Sequence, residues 1–203
     1  MKLYINNASC VSPLEIVADE HTFELSPTLQ QATDRLQIAP PPYKSLLSYN
    51  IIRRVAKFTK MGLYAAMQCV KEIEKTIDGV IVGTGIGGFL HSEKFISEMT
   101  ERAETNLSPN AFFQSLHSSL SGNIAILTKC EGYNITYVNR GCSFESTLLD
   151  AALHLDESPA SKILVGSADE ITENYSDIAN RTNYMGLQSK KAQPRPGEGA
   201  AFM

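Results

Sequence analysis

The stretch NITYVNRGCSFESTLLDAALHL, residues 134–155, passes from a β-branched run through a polar bend into a leucine-rich helical pattern. Residues 133–139 read as a strand and 145–157 as a helix, with Leu148, Leu149, Ala152, Leu153 and Leu155 on or near one stripe. Cys142 lies in the bend between them. A nucleophile there is exposed by the turn, and the partial positive charge at a helix N-terminus favours an anion. A cysteine can also serve as a small apolar residue in a core. Position alone leaves both readings open.

The same alternation continues outward. Residues 78–85 and 161–170 are apolar runs bounded by turn residues, the signature of buried strands. Residues 58–75 read as a helix with Thr59 as N-cap, apolar on most sides from Met61 to Val70. Residues 91–102 form a helix with charge outside, and Pro109 sits in the loop before another helix, about Ala111–Leu127, whose small residues allow close packing. A first strand is expected over Lys2–Val11, and GEGAAFM, 197–203, reads as the start of a strand with no room to finish. Residues 17–50 are irregular, with APPPYK at 39–44 forcing an extended turn. Together these imply one α/β domain over 1–203 with a mixed, mostly parallel sheet covered by helices on both faces.

The composition is that of a globular protein, with a formal net charge of −4 and no basic block, which argues against nucleic-acid binding. No apolar run approaches the roughly 20 residues of a membrane span. The N-terminus alternates rather than forming a signal peptide, so the expected location is the cytoplasm, with Cys10, Cys69, Cys130 and Cys142 reduced. Their wide spacing excludes a zinc-ligand pattern.

Three further features have chemical readings. GTGIGG, 83–88, fits G-x-G-x-x-G between a strand and a helix, but no strand ending in an acid follows about 20 residues on, as a dinucleotide site requires. A tight turn using Gly85 and Gly88 is favoured instead. Of four histidines, His154 lies 12 residues past Cys142 on one helix, roughly 18 Å away at 1.5 Å per residue, and cannot be its base. His117 could face a pocket or be a satisfied core or interface residue, His21 lies in the irregular region and His91 follows the glycine turn. Glu198, between glycines, is either buried near a site or a turn residue in water. The bend at Cys142 differs from the α/β-hydrolase elbow, which wants Gly where Arg140 and Phe144 stand.

Six segments in order resemble the N-terminal half of the β-ketoacyl-(acyl-carrier-protein) synthases, of the thiolase fold: IIRRVAKFTKMGLYAA, GVIVGTGIGG, SPNAFFQSLHSSLSGNIAI, NITYVNRGCSFESTLLDAALHL, KILVGSADEIT and GEGAA. The SLHSSLSG style is similar to the divergent synthase-like proteins of aryl-polyene and flexirubin-type pigment clusters. The resemblance implies that Cys142 is acylated and then condenses with malonyl-carrier protein after decarboxylation, with substrates on phosphopantetheine and no separate cofactor. It implies supporting or structural roles for Gly85, Gly88 and Glu198, and His117 is not one of the family's catalytic histidines. This sequence departs from the family at Gly141, where Ala is usual, and at Phe144 and Glu145, where small residues are usual. The family's two catalytic histidines, its lysine and its phenylalanine-glycine loop lie in a C-terminal half absent from these 203 residues.

The resemblance therefore implies an acyl carrier protein as partner, and a homodimer or a heterodimer with a complete ketosynthase. The Met61–Val70 helix and the helix after Cys142 are expected to lack partners, and NITYVN is expected at the interface. The alternative is a non-catalytic subunit like the chain-length factors, which often lack the cysteine, or a piece of a longer enzyme.

Overall fold

The computed structural model describes residues 2–17, 22–25, 35–71, 73, 76–182 and 196–203, with 14–17 and 22–25 as backbone only. In chain order the elements are β1 (Ser9–Val11), β2 (Leu14–Val17), β3 (Thr22–Leu25), a 3-10 turn (Tyr43–Ser45), α1 (Tyr49–Arg54), α2 (Lys57–Val70), β4 (Gly79–Gly83) and α3 (Phe89–Glu101). There follow α4 (Pro109–Ser115), α5 (Ser119–Thr128), β5 (Tyr133–Tyr137), a 3-10 turn (Arg140–Cys142), α6 (Ser143–Glu157), β6 (Ile163–Asp169), α7 (Glu173–Arg181) and β7 (Gly199–Phe202).

Five strands make one sheet in the order β1-β7-β6-β4-β5. β4 pairs in parallel with both β5 and β6, while β7 runs antiparallel to β6 and to β1. The sheet is thus mixed, parallel where the apolar runs are strongest. Strand residues alternate between faces, and both faces of β4 are covered. Val80 and Val82 point into a core with Phe58, Met61, Leu63, Leu120 and Ile124, whereas Ile81 points the other way onto Ala151 and Val165. α2 and α5 cover the first face and α6 the second, the α/β sandwich that the sequence implied.

Several elements differ from the sequence reading. β1 keeps only the last three residues of the expected strand. Upstream, the Asn7 amide donates to the Cys69 carbonyl and its Oδ1 accepts from the Ala8 N–H, each at 2.8 Å; such local bonds compete with a strand ladder. α2 starts from Ala56, so Thr59 is not a cap but a fully buried residue of the first turn. The single helix expected over 111–127 is two, because Leu116 is extended and α5 restarts at Ser118; His117 lies in the break. Pro109 begins α4, where its missing N–H costs nothing, and Ser108 caps it through the Ala111 N–H. The stretch read as irregular contains β3, which pairs antiparallel with β2 just before it, and the start of α1 at Tyr49; residues 18–21, which include His21, and 26–34 lie outside the described residues.

The leucine stripe of α6 also turns out differently. Ser143, Thr147 and Ala151 face the sheet, while Leu149 and Leu153 stand 64% and 60% exposed. Backbone proximity explains this: a Cβ on Gly83 would lie 2.8 Å from the Ser143 carbonyl oxygen, so only small residues fit between α6 and β4. The close approach on the opposite face comes from Gly62 of α2, seated on Leu120, and not from Gly122, which has open space around it. Met61, Leu63, Ala65 and Ala66 are fully buried within the chain. α2 therefore has its partners, and the expectation of an unpartnered face holds for α6 alone.

Candidate functional site

The parallel strands β4, β5 and β6 end side by side, so the segments leaving their C-terminal ends meet in space. Ligand sites in α/β sheets favour this edge. Here it gathers the glycine turn after β4, the bend after β5 and the acidic pair Asp169–Glu170 after β6.

Asp169 organises the glycine turn. Its Oδ1 accepts from the Thr84 hydroxyl at 2.8 Å and from the Gly85 and Ile86 N–H groups at 2.9 Å each. Thr84 Oγ1 in turn accepts from Gly87 N–H at 2.7 Å. Successive backbone N–H groups form an anion-binding concavity, and the chain's own carboxylate fills it. Gly85 contributes one of the two N–H groups from which Asp169 accepts. Gly87, which the sequence did not single out, has φ +64°, and a Cβ there would come within 2.7 Å of His117 Cδ2. His117 is exposed with its ring against this turn, neither in a core nor in a helix. Gly88 is the N-cap of α3.

The bend at Cys142 is tied to the same turn through Ser143, which is 3% exposed. Ser143 Oγ accepts from Asn139 N–H at 2.8 Å and lies 2.8 Å from the Thr84 carbonyl and 2.7 Å from that of Arg140, sharing its one proton between them. Arg140 takes a left-handed backbone with φ 49°. Cys142 itself is exposed and is the N-cap of the fifteen-residue α6. Within this chain the thiol therefore stands outside the core. A cavity of about 550 Å³ adjoins the bend, walled by Ile86, Ile171, Ile178 and Ala179, with Arg140 and Gly141 on its chain side. The sequence reading gave no role to Ser143 or Asp169, although a small polar residue after Cys142 and an acid at the end of an apolar run were both visible.

Glu198 is buried, 2% exposed, and accepts from Lys57 Nζ at 2.5 Å and from Ile38 N–H at 3.0 Å. It fastens the turn before β7 to the start of α2 and belongs to a different cavity, of about 370 Å³, shared with Glu170. Burial raises the Glu170 carboxyl above its usual range, opposed by the bond from Leu90 N–H at 3.0 Å, with the Glu198 charge raising it further and Lys57 and the Phe58 N–H lowering it.

The remaining histidines stand apart. His91 is in α3, its pKa lowered by burial and then by Lys94. His154 stacks on Tyr133 at 5.1 Å in the last turn of α6. Among the described residues no group of His, Cys, Asp and Glu could hold a metal, and no helix is long and apolar enough to cross a membrane.

Comparison with known proteins agrees with this geometry. No curated protein matches the chain in sequence. Among solved structures it is similar to a ketosynthase in complex with its chain length factor from Xenorhabdus doucetiae, at 16% identity and a TM-score of 0.70, over all of this chain and 77% of that one. It is similar to the ishigamide ketosynthase/chain length factor at 16% identity and TM-score 0.71, over 98% of this chain and 60% of that one. A type II polyketide ketosynthase in complex with its acyl-carrier protein matches at 15% identity and TM-score 0.72, again over 98% and 60%. The chain thus spans about 60% of the length of two of these structures and 77% of the third. At such identities the likeness is one of fold, and residues 29–189 match the model of the beta-ketoacyl synthase N-terminal domain. The chain belongs to the β-ketoacyl synthase N-terminal-domain family.

Proposed function

We propose that this domain accepts an acyl group on Cys142 from the phosphopantetheine arm of an acyl carrier protein, as the opening step of a decarboxylative condensation. The Cys142 sulfur attacks the thioester carbonyl, the new C–S bond forms as the bond to the arm's sulfur breaks, and that sulfur leaves as the thiol. The observation that carries this reading is Cys142 at the exposed N-terminus of α6, next to the cavity that Arg140 and Gly141 border. The substrates bring their own carrier arm, so no dissociable cofactor enters. The histidines and lysine for decarboxylation come from a C-terminal half or from a partner synthase.

The partner face follows from what is left uncovered. β5 is an edge strand, Ile126 of the neighbouring α5 is exposed, and α6 turns Leu149 and Leu153 outward. Exposed apolar side chains along a sheet edge and a helix face suit an interface. A second reading is a chain-length-factor-like subunit, favoured by the absence, among the described residues, of any histidine hydrogen-bonded to Cys142. Incubation with an acyl carrier protein charged with a fatty acyl group separates the two. An acyl adduct on the intact protein, mapped to Cys142 and missing in Cys142→Ala, is expected. If none forms even beside a co-expressed complete synthase, the subunit reading replaces the acyl-acceptor one.

A further inference from the structure

The cavity beside the bend has one unusual wall. Ile86, Ile171, Ile178 and Ala179 make it apolar, yet Arg140 lines it too, and among the described residues the Arg140 guanidinium makes no ion pair or hydrogen bond. The other charged residue of the wall, Asp169, has its carboxylate held to the glycine turn by the Thr84 hydroxyl and two backbone N–H groups. Arg140 also holds a left-handed backbone, a conformation that costs a non-glycine residue free energy. Ser143 helps hold it there, since the Arg140 carbonyl accepts from the Ser143 hydroxyl at 2.7 Å. The bend thus sets an arginine on the wall of a largely apolar cavity, where the stem of such a side chain can lie on apolar surface while the head keeps its charge.

We propose that this cavity takes an amphiphilic ligand, an apolar chain along Ile171 and Ile178 with an anionic group paired to Arg140, and that Arg140 selects for that anion. A guanidinium presents paired donors that match carboxylate and phosphate oxygens. The volume of about 550 Å³ suits a chain of small-molecule size. The anion is either a carboxylate carried by the acyl chain itself or the phosphate of a carrier arm. As an account of what reaches Cys142, the proposal rests on the acyl-acceptor reading; as a statement about the cavity, it is measurable without acylation.

The test is titration calorimetry of the whole chain with octanoate, octyl phosphate and neutral octanol. Both anions are expected to bind more tightly than octanol, by roughly three- to tenfold for a partly exposed pair, and less so at high salt. Arg140→Gln and Arg140→Gly, the second suited to the left-handed backbone, should each remove that advantage while leaving octanol binding unchanged. Ile178→Asp should weaken all three. Cys142→Ala should keep the ranking and lose only the acyl adduct, so that failure of acylation and failure of anion selection are read separately. Whichever anion ranks first identifies the source. If octanol binds as tightly as the anions, or if both Arg140 variants keep the anion preference, Arg140 selects nothing and the proposal is wrong.

Discussion

Ser143 Oγ lies 2.8 Å from the Thr84 carbonyl oxygen, joining the residue after Cys142 to the glycine turn that Asp169 organises. The bend after β5 and the turn after β4 are thus one bonded unit. Ser143→Ala leaves the buried Thr84 carbonyl and the Asn139 N–H without this partner. A buried polar group stripped of its bond costs about 1–3 kcal/mol. Urea unfolding should show a loss of that size.

Asp169→Asn tests the other end of the unit. The carboxylate accepts from three donors on the turn, and an amide must turn its NH2 toward at least one of them. Hydrogen bonds to a charged group are each worth about 1.5–3 kcal/mol, so a destabilisation of about 3 kcal/mol is expected by denaturant unfolding. Amide exchange at Gly85 and Ile86 should quicken in the same variant. Unchanged exchange there would mean that the turn holds itself without Asp169.

Much of this fold was legible in advance because buried parallel strands leave continuous apolar runs, and 79–83 and 163–169 could be little else. The helix break at His117 left no such trace, since Ser-rich sequence suits a helix end and a turn alike. The orientation of α6 was hidden for another reason. Its leucines advertise a core-facing stripe, but the approach of backbone to backbone at Gly83 and Ser143 puts Thr147 and Ala151 against the sheet. Only the tertiary contact decides which apolar stripe faces in. The exposure of Cys142 was legible from its bend, whereas the role of Asp169 depends on a bond across 84 residues of sequence.

The outward leucines of α6 give a prediction on assembly. If they lie in a partner face, Leu149→Asp with Leu153→Asp should weaken self-association, or association with a co-expressed synthase, at least tenfold by analytical ultracentrifugation. Both side chains are more than half exposed in the single chain, so its thermal unfolding should change little. A wild-type chain that stays monomeric at every concentration and binds no synthase would leave the stripe without this role.

Glu170 makes stability depend on pH in a definite direction. Burial, with the Glu198 charge as a further raising cause, keeps its carboxyl above the usual range in the folded state. An acid raised on folding binds its proton more tightly in the native state, so its contribution is full below the unfolded pKa and is lost as pH rises through the folded one. Glu170→Gln cannot titrate. The stability difference between variant and wild type should therefore shift in favour of the variant from about pH 4 to about pH 8. Any fixed cost of the amide against the Leu90 N–H does not alter that trend. A pH-independent difference would mean that Glu170 titrates alike in both states.

Gly87 carries two separable constraints. Its φ of +64° disfavours any side chain, and a Cβ would meet the His117 ring at 2.7 Å. The backbone part costs about 1 kcal/mol for alanine in a left-handed conformation. The steric part depends on whether His117 can move, and because that side chain is exposed it can swing away at small cost. Gly87→Ala should thus destabilise by about 1–2 kcal/mol, and adding His117→Ala should recover only the portion above the backbone strain. Full recovery in the double variant would show that the left-handed backbone is not what requires glycine here. No recovery would show that the His117 ring already yields and that conformation alone accounts for the residue.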